Sequence, residues 1–463
     1  MTVNTTSAVY LQQQMQGRVL TPEDADYEQL RRGWNLTINQ YPSLILVAET
    51  VEDVVAGVRY ARETGLGVAV QSTGHGLQIP ANNSLLILTS RLNAIEIDAQ
   101  ARTARMEAGV VWGKVVEKAV PYGLAPLLGS SPHVGVVGYT LGGGIGWLAR
   151  KYGLAADSVR SIDLVTPDGV LRHTSPTENA DLFWGLRGGG GNFGVVTALE
   201  VELFPVTSLY GGNLTYSGEL AGPALRFYRD WIQTLPDEMT SSIAVLRFPS
   251  FPQVPAEMRG KAFVILRAAY VGDDAEGEAY IQQWLDWNPP LSNAFHTLPF
   301  SEIATVSNDP VDPAPTFYSN ELLDGLSDEA IDVIVQNIIT NPTAPLMVTE
   351  LRHAGGAIAR VPADSNAIGN RDAQLYMQMA GMAPTPEIQA AVVAYIQQYK
   401  AQLQPYLRGN VYLNFIKGHE ATSRVKDAFL PESYKRLMAL KAHYDPDLMF
   451  RFSYQLVPLP VAE

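Results

Sequence analysis

The sequence predicts an α+β protein, and three observations carry that prediction. A strand, a helix and a strand follow one another within residues 43–71, the spacing of a βαβ unit with parallel strands. Three glycine clusters, at 72–76, 129–146 and 188–194, are confined to the first two hundred residues. From about Val206 the texture changes. Strand-like runs at 243–248, 262–271, 346–352 and 373–379 alternate with helical stretches near 274–287, 327–338 and 386–403. Such a pattern suits an antiparallel sheet covered by helices on one face.

Each element has a local reason. Residues 43–48 form a short apolar run. Thr50 followed by Asp53 resembles a capping box, with Asp in place of the usual Glu or Gln. Val51, Val54, Val55, Val58 and Ala61 recur at helical spacing, and Gly65 supplies the stop. Residues 66–71 make the second strand. Ligands of such units sit beyond the C-terminal ends of the strands, where Ser72-Thr73-Gly74-His75-Gly76 is found. A strand at 85–88, a hairpin from 95–98 and 103–107, and a helix at 112–120 ending before Gly123 come next. Pro167-Asp168-Gly169 turns a second hairpin between 161–166 and 170–173. Residues 195–204 alternate as a half-buried strand. The final segment holds an expected strand at 411–415, a helix near 432–443 and a Tyr444-Asp445-Pro446 stop.

Composition removes several function classes. The chain has 463 residues, 33 Lys+Arg against 47 Asp+Glu, a formal net charge of −14 and no cysteine. That balance argues against nucleic acid, whose binding rests on Lys and Arg neutralising phosphates. Without cysteine there is no disulfide framework, thiolate metal site or cysteine nucleophile. The seven histidines (75, 133, 173, 296, 353, 419 and 443) show no short ligand spacing, so no metal is expected. No G-x-S-x-G elbow or phosphate loop of the G-x-x-x-x-G-K-[ST] type occurs. The first twenty residues lack a basic region and an apolar core of the signal type, and no apolar run reaches a membrane span. The expectation is a soluble cytoplasmic protein with no membrane partner. Sequons at Asn4, Asn35 and Asn213 are then chance matches.

The glycine clusters carry the ligand argument. Each lets backbone amides approach a ligand closely, and three in one domain suit a large phosphate-bearing cofactor of dinucleotide size. Turns and tight packing are the plainer reading. Gly144-x-Gly146-x-x-Ala149 fits a nicotinamide pattern on paper, but it does not join a firm strand to a helix.

The ordered motifs resemble those of the berberine-bridge-enzyme-like branch of the vanillyl-alcohol oxidase flavoprotein superfamily. They are Tyr27…Arg31-Arg-Gly-Trp34-Asn35, Tyr41-Pro42, Gln71-Ser-Thr-Gly-His75 (where the family usually has R-S-G-G-H), Gly129-Ser-Ser-Pro-His-Val-Gly135, Gly142-Gly-Gly-Ile-Gly146, Lys151-Tyr-Gly-Leu154, Asp181-Leu-Phe-Trp184, Arg187-Gly-Gly-Gly-Gly-Asn-Phe-Gly194, Val411-Tyr-Leu-Asn-Phe415 and Tyr444-Asp-Pro446…Phe450. The resemblance spans nearly the whole chain and is thinnest between about 206 and 340.

The resemblance implies an FAD-binding domain in two parts, a βαβ subdomain and a mixed α+β subdomain. It would be built from 1–205 and 408–463, around a substrate-binding domain at 206–407. His75 matches the histidine bonded to the flavin 8α-methyl. The family's second attachment, a cysteine, would fall at Ser131, so a single link is implied. The implied cofactor contacts are Gln71, Ser72, Thr73, Gly74, Gly76, Gly129, Ser130, Ser131, Gly135, Val136, Gly138, Tyr139, Gly142, Gly143, Gly146, Gly194, Val195, Val196 and Asn414. Val136 falls where small β-branched residues accompany reaction with oxygen in this branch; plain packing of a strand-like Val-Gly-Val-Val run explains it as well.

For the substrate step, strand alternation puts Tyr412 with Asn414, Tyr376 with Gln378, and Glu350 with Arg352 on shared faces. A phenol or a desolvated carboxylate there is suited to take a proton as hydride leaves. Tyr412, Tyr376, Glu350 and Arg352 are the catalytic candidates, and each also fits a satisfied polar residue at a sheet edge. The expected activity is oxidation of a small cyclic or aromatic alcohol or amine, with O2 reduced to H2O2. Alternatives are a sugar or oligosaccharide oxidase, a flavin dehydrogenase, a redox-inert flavin carrier and a nicotinamide-dependent enzyme.

Overall fold

A computed structural model describes residues 5–248, 254, 256–341 and 343–456; Asn4 of the first sequon lies outside them. Three sheets organise the chain. The first has the order Arg18–Leu20, Leu44–Val47, Ser84–Leu88, Gly67–Gln71. Its last three strands are parallel. The two strands of the expected βαβ unit are therefore parallel but not neighbours, because Ser84–Leu88 pairs between them. Helix Val51–Thr64 begins at the Thr50/Asp53 capping box, with both reciprocal bonds made, and ends at Gly65 with φ 71°. Its Val54, Val58 and Ala61 pack on Leu44, Leu46 and Ile87, so the sequence periodicity is the buried stripe.

The second sheet is antiparallel, in the order Ile95–Asp98, Thr103–Glu107, Val195–Glu202, Val159–Val165, Leu171–Thr174. The third has eight antiparallel strands. Ser208–Ser217, Ala262–Tyr270, Met239–Arg247, Val348–His353, Leu375–Met382 and Thr316–Leu323 run in that spatial order, with two short strands on the outer edge of Ser208–Ser217. One face is covered by helices Ala221–Trp231, Asp274–Trp287, Asp328–Val335 and Pro386–Leu403. They share a core with it that includes Tyr228, Trp284, Ile334, Leu351, Met377 and Tyr399. The opposite face turns toward the glycine-rich loops.

The C-terminal segment packs back against the first two sheets. Helix Pro431–Tyr444 contributes Leu437 and Leu440 to the core of the second sheet, and Met449 and Phe450 enter that of the first. Buried Lys441 fastens this return. Its ammonium donates to Asp445 (2.6 Å), the Asn192 carbonyl (2.8 Å) and the Phe450 carbonyl (2.8 Å), which satisfies a charge that would otherwise be expensive to bury.

Two expectations are corrected. Residues 411–415 form no strand: Leu413–Phe415 is a single 3-10 turn. The side chain of Asn320 takes the place of a ladder partner, accepting from the Tyr412 amide at 2.7 Å and donating to its carbonyl at 3.1 Å. The Val-Gly-Val-Val run is also not strand-like, since Val136 opens helix Val136–Leu141. Among the described residues, no helix is long and apolar enough to cross a membrane.

Candidate active site

Three walls meet where the parallel strands end. The first is the loop after Gly67–Gln71. His75 is partly buried there, with its ring stacked on Trp34 at 4.5 Å between centroids and 11° between planes. Its Nδ1 lies 2.8 Å from Thr73 Oγ1, while Nε2 is buried with no hydrogen-bond partner. Burial, reinforced by nearby His133, brings the His75 pKa down to about 4, so the imidazole is neutral at physiological pH. No backbone carbonyl accepts from the amides of residues 72–76 among the described residues. Gln71 faces away from this loop: it accepts from Gln40 Nε2 at 2.9 Å and donates to the Arg32 carbonyl at 3.1 Å.

The second wall is the segment 129–146. A Cβ on Gly135 would stand 3.0 Å from Ser72 Oγ, so this segment touches the His75 loop directly. Tyr139 is sandwiched between Gly129 and Gly144 and meets Trp112 edge-on at 5.7 Å. Tyr412 Oη accepts from the Gly144 amide at 2.6 Å and from Asn414 Nδ2 at 3.3 Å. Asn414 also donates to the Tyr139 carbonyl at 2.9 Å. Gly142 and Gly143 are required by this approach, since a Cβ on Gly142 would fall 1.9 Å from Asn414 Oδ1. Gly138, by contrast, faces open space.

The third wall is the polar face of the large sheet. Glu350 is buried and accepts from Ser242 Oγ (2.8 Å), Arg267 Nη1 (3.3 Å) and Arg352 Nε (3.0 Å). Burial pulls its pKa up, but Arg352, Arg267 and Ser242 together hold it below the usual carboxylate value. Arg352 in turn lies 5.2 Å from the Phe415 ring centroid. Tyr376 packs against Tyr412 with centroids 5.2 Å apart. Burial raises both phenols, Tyr376 to about 12 and Tyr412 further, the latter aided by Tyr376. Buried Arg150, from the glycine-rich side, reaches across to this sheet. It donates to the carbonyls of Met239 (2.8 Å) and Ala354 and lies 3.0 Å from His353 Nε2. Burial, then Arg150, lowers the His353 pKa to about 3. One cavity lies between Tyr412, Tyr376, Leu322, Ile368 and Phe429. A second opens between Ser130, Ile145 and Trp147 on one side and Ser242, Arg352 and His353 on the other.

The sequence-predicted residues thus divide. His75, Ser72, Thr73, Gly74, Gly76, Ser130, Ser131, Gly135, Tyr139, Gly142 and Gly143 lie on the two facing loops, with Tyr412 and Asn414 against them. Gly194, Val195 and Val196 lie where the buried strand Val195–Glu202 begins, and a Cβ on Gly194 would meet the Val165 carbonyl at 2.4 Å, a packing role. Gly146 likewise packs on the Leu128 carbonyl. Val136 is fully buried at the start of its helix. Sequence reasoning missed the clamp of Arg150, the Arg267 partner of Glu350, Asn320, and Lys417, which is buried beside Tyr318. A lone cation in an apolar stretch (Leu-Asn-Phe-Ile-Lys) was the one legible signal.

The residues fit a flavin dinucleotide. Ser72 Oγ, Ser131 Oγ, Tyr139 Oη and His75 Nε2 are buried polar atoms without protein partners, gathered on the two facing loops. Native proteins rarely strand such atoms unless a ligand completes them. Hydroxyls and free loop amides suit phosphate and polar ring atoms. Among the described residues no cluster of His, Asp and Glu suits a metal ion.

Sequence comparison agrees. The family described as "FAD binding domain" matches residues 42–175, and "Berberine and berberine like" matches 411–454. (R)-6-hydroxynicotine oxidase of Paenarthrobacter nicotinovorans is 29% identical, over 96% of this chain and 97% of that protein. Chitooligosaccharide oxidase of Gibberella zeae is 25% identical over 92% and 89%. The crystal structure of 6-hydroxy-D-nicotine oxidase from Arthrobacter nicotinovorans superposes with a TM-score of 0.84 at 25% identity, covering 96% of this chain and 98% of that one. Fold and site together define an FAD-linked oxidoreductase. Along nearly its whole length the chain resembles the berberine-bridge-enzyme-like branch of the vanillyl-alcohol oxidase flavoprotein superfamily, and it carries that branch's FAD-binding and berberine-like segments.

Proposed function

We propose that this chain is an oxidase with FAD bonded through His75 alone, acting on a small cyclic or aromatic amine or alcohol and releasing H2O2. The observation that carries the reading is the pair of facing loops that hold the unpartnered His75 Nε2, Ser72, Ser131 and Tyr139 polar atoms, with an apolar cavity beneath the Tyr412-braced glycine loop. Bound FAD would supply the hydride-accepting and dioxygen-reducing chemistry. The same reading assigns 1–205 and 408–463 to the cofactor, 206–407 to the substrate, and the protein to the cytoplasm.

The chain's own groups would orient substrate and exclude water. Tyr412 is a neutral phenol whose oxygen already accepts two hydrogen bonds, so its proton is available to a substrate heteroatom. Tyr376 closes the same cavity. Glu350 is held ionised and saturated with donors, which makes it a weak base and a support for Arg352. With no strong base on this wall, a neutral amine is favoured over an alcohol: its lone pair expels hydride without prior loss of a proton.

The test is a visible spectrum before and after acid precipitation, with intact mass, followed by photoreduction and exposure to air. Pelleted flavin with one added FAD, fast reoxidation and peroxide release from cyclic amines support the reading. Flavin left in the supernatant removes the His75 bond. Slow reoxidation indicates a dehydrogenase or an inert carrier, and turnover of oligosaccharides instead of amines indicates a sugar oxidase.

A further inference from the structure

We infer that the polar face of the large sheet holds an anion subsite, in which Arg352 and Arg267 take a carboxylate of the substrate. The inference rests on the oxidase reading above and narrows its substrate to a cyclic or aromatic amine that carries a carboxylate.

The strand register builds the site. Ser242 stands opposite Arg267 on one side and opposite Arg352 on the other, so the three lie in one row across the sheet. The hydroxyl of neighbouring Ser241 lies 3.2 Å from Tyr228 Oη, on the face covered by helices. Side chains alternate along a strand, so Ser242 and its two arginine neighbours belong to the face toward the glycine-rich loops. Tyr376, opposite Arg352, continues the row toward Tyr412. Ser242 and Arg352 line the cavity whose other wall is Ser130, Ile145 and Trp147.

Donors and charges in this row exceed what the protein itself takes up. Arg352 directs Nε (3.0 Å) and Nη2 (2.9 Å) at Glu350, and Arg267 gives that carboxylate only Nη1, at 3.3 Å. Glu350 also accepts from Ser242 Oγ at 2.8 Å, which leaves it no room for more. Arg267 Nε is buried with no partner. Among the described residues, no protein acceptor meets Arg267 Nη2 or Arg352 Nη1 either. Half-buried Asp309 also acts on Arg352 electrostatically, but no ion pair joins them among the described residues. Arg150 adds positive charge from the loop side; its own donors are spent on the Met239 and Ala354 carbonyls, and Asp237 stands 3.7 Å away. Two guanidinium groups thus share one carboxylate, and their remaining donors need acceptors. A second carboxylate supplies paired oxygens in the geometry a guanidinium fork matches.

The distance to the reacting end is set by Phe415. Its ring centroid lies 5.2 Å from the Arg352 guanidinium carbon and 5.0 Å from the Tyr412 ring centroid. Ile145 joins the two ends, since it lines the anion cavity and packs in the same cluster as Tyr412 and Tyr376. A substrate with its reacting C–H beside Tyr412 therefore reaches Arg352 when its carboxylate sits across an aromatic-sized ring.

The experiment uses the purified, FAD-loaded, full-length protein. Isothermal calorimetry measures binding of sodium benzoate and of benzamide, which keeps the ring and removes the charge. Benzoate should bind about 10- to 100-fold more tightly, as expected for charge-assisted hydrogen bonds. Arg352→Gln and Arg267→Gln should each remove most of that preference and leave benzamide binding unchanged. Arg352→Lys, which keeps the charge and loses the fork, should retain part of it. In peroxide-release assays, para-aminomethylbenzoate should show a lower KM than benzylamine. Equal binding of benzoate and benzamide, no binding of benzoate, or a preference that survives both glutamine variants overturns the inference. Circular dichroism identifies a variant that does not fold, and the wild-type comparison of benzoate with benzamide then decides. Arginine-dependent benzoate binding with neither amine oxidised upholds the subsite and counts against the amine oxidase reading alone. Amine oxidation without benzoate selectivity overturns the subsite and leaves that reading intact.

Discussion

Replacing Lys417 by methionine should stabilise the protein, and the gain should shrink as pH rises. Lys417 is 1% exposed; its ammonium donates weakly to the Thr316 carbonyl at 3.4 Å and sits 5.1 Å from the Tyr318 ring centroid. Among the described residues no carboxylate pairs with it, and burial brings its pKa from 10.5 down to about 7. Between those two values the unfolded chain binds one proton more than the folded one, so wild-type stability climbs with pH across this window. At 1.36 kcal/mol per pKa unit, the folded state at pH 7 is destabilised by about 4 kcal/mol relative to a neutral side chain, and at pH 9.5 by only about 1. Loss of the ring contact offsets some of this, about 0.5–1 kcal/mol. With an unfolding entropy near 2.1 cal/mol/K per residue, a chain of this length shifts its midpoint by roughly 1 °C per kcal/mol. Calorimetry of the FAD-loaded protein should therefore find Lys417→Met about 3 °C higher at pH 7 and within about 1 °C of wild type at pH 9.5. A variant equally stabilised at both pH values, or destabilised at both, would refute the claim that Lys417 is a buried charge without compensation.

His75→Ala should fold and hold FAD without a covalent bond, at lower activity; acid precipitation then releases the flavin, and retained covalent flavin would show the assignment wrong. Tyr412→Phe leaves the Gly144 amide without its acceptor, which costs about 1–3 kcal/mol in a urea titration. The same change should slow anaerobic flavin reduction more than reoxidation, and equal effects on both half-reactions remove Tyr412 from the catalytic list. Glu350→Gln leaves two half-buried guanidinium groups without their carboxylate and should destabilise by about 2–3 kcal/mol at pH 7. Because the folded pKa of Glu350 lies below its unfolded value, its contribution is present above the unfolded pKa and lost as pH falls through the folded one. The acid limb of the stability curve should flatten in Glu350→Gln, and an unchanged limb contradicts the pairing. Arg150→Met should lower the urea midpoint and expose Trp147 fluorescence to quencher, since the carbonyls of Met239, Ala354 and Pro236, in and beside the large sheet, lose their donor; unaltered quenching would deny Arg150 its clamping role.

The elements written in local signals were legible in the chain. Thr50, Asp53 and Gly65 delimit their helix as read, because a capping box and a left-handed stop need only a few neighbouring residues. Helices Asp274–Trp287 and Pro386–Leu403 match their sequence spans for the same reason: an N-cap hydroxyl or carboxylate lies just before each. Strand Ser208–Ser217 escaped notice since Gly211 and Gly212 interrupt its pattern; Gly212, with φ 151°, is there because a side chain would strike the Ala294 carbonyl. Helix Ala180–Gly189 was hidden by the glycines at its end, where the backbone kinks at Arg187 and Gly188. In the segment 411–415, alternation suggested a strand, yet the partner that holds Tyr412 is the side chain of Asn320, 92 residues away in the chain.

By itself, then, the sequence determined the class of fold and singled out the glycine-rich loops and the position of His75 beyond a strand end, since caps, periodicities and glycine spacing act over a few residues and leave their mark in composition. The tertiary structure decided what those residues are able to do. It turned Glu350 from a candidate base into a carboxylate locked by Arg267 and Arg352, and it raised the Tyr412 and Tyr376 phenols by burying them together. It also left Nε2 as the free edge of His75 by setting Thr73 and Trp34 around the ring. Proton affinity and hydrogen-bond saturation depend on which groups from distant segments face each other and how much water they exclude, and no local run of residues records either.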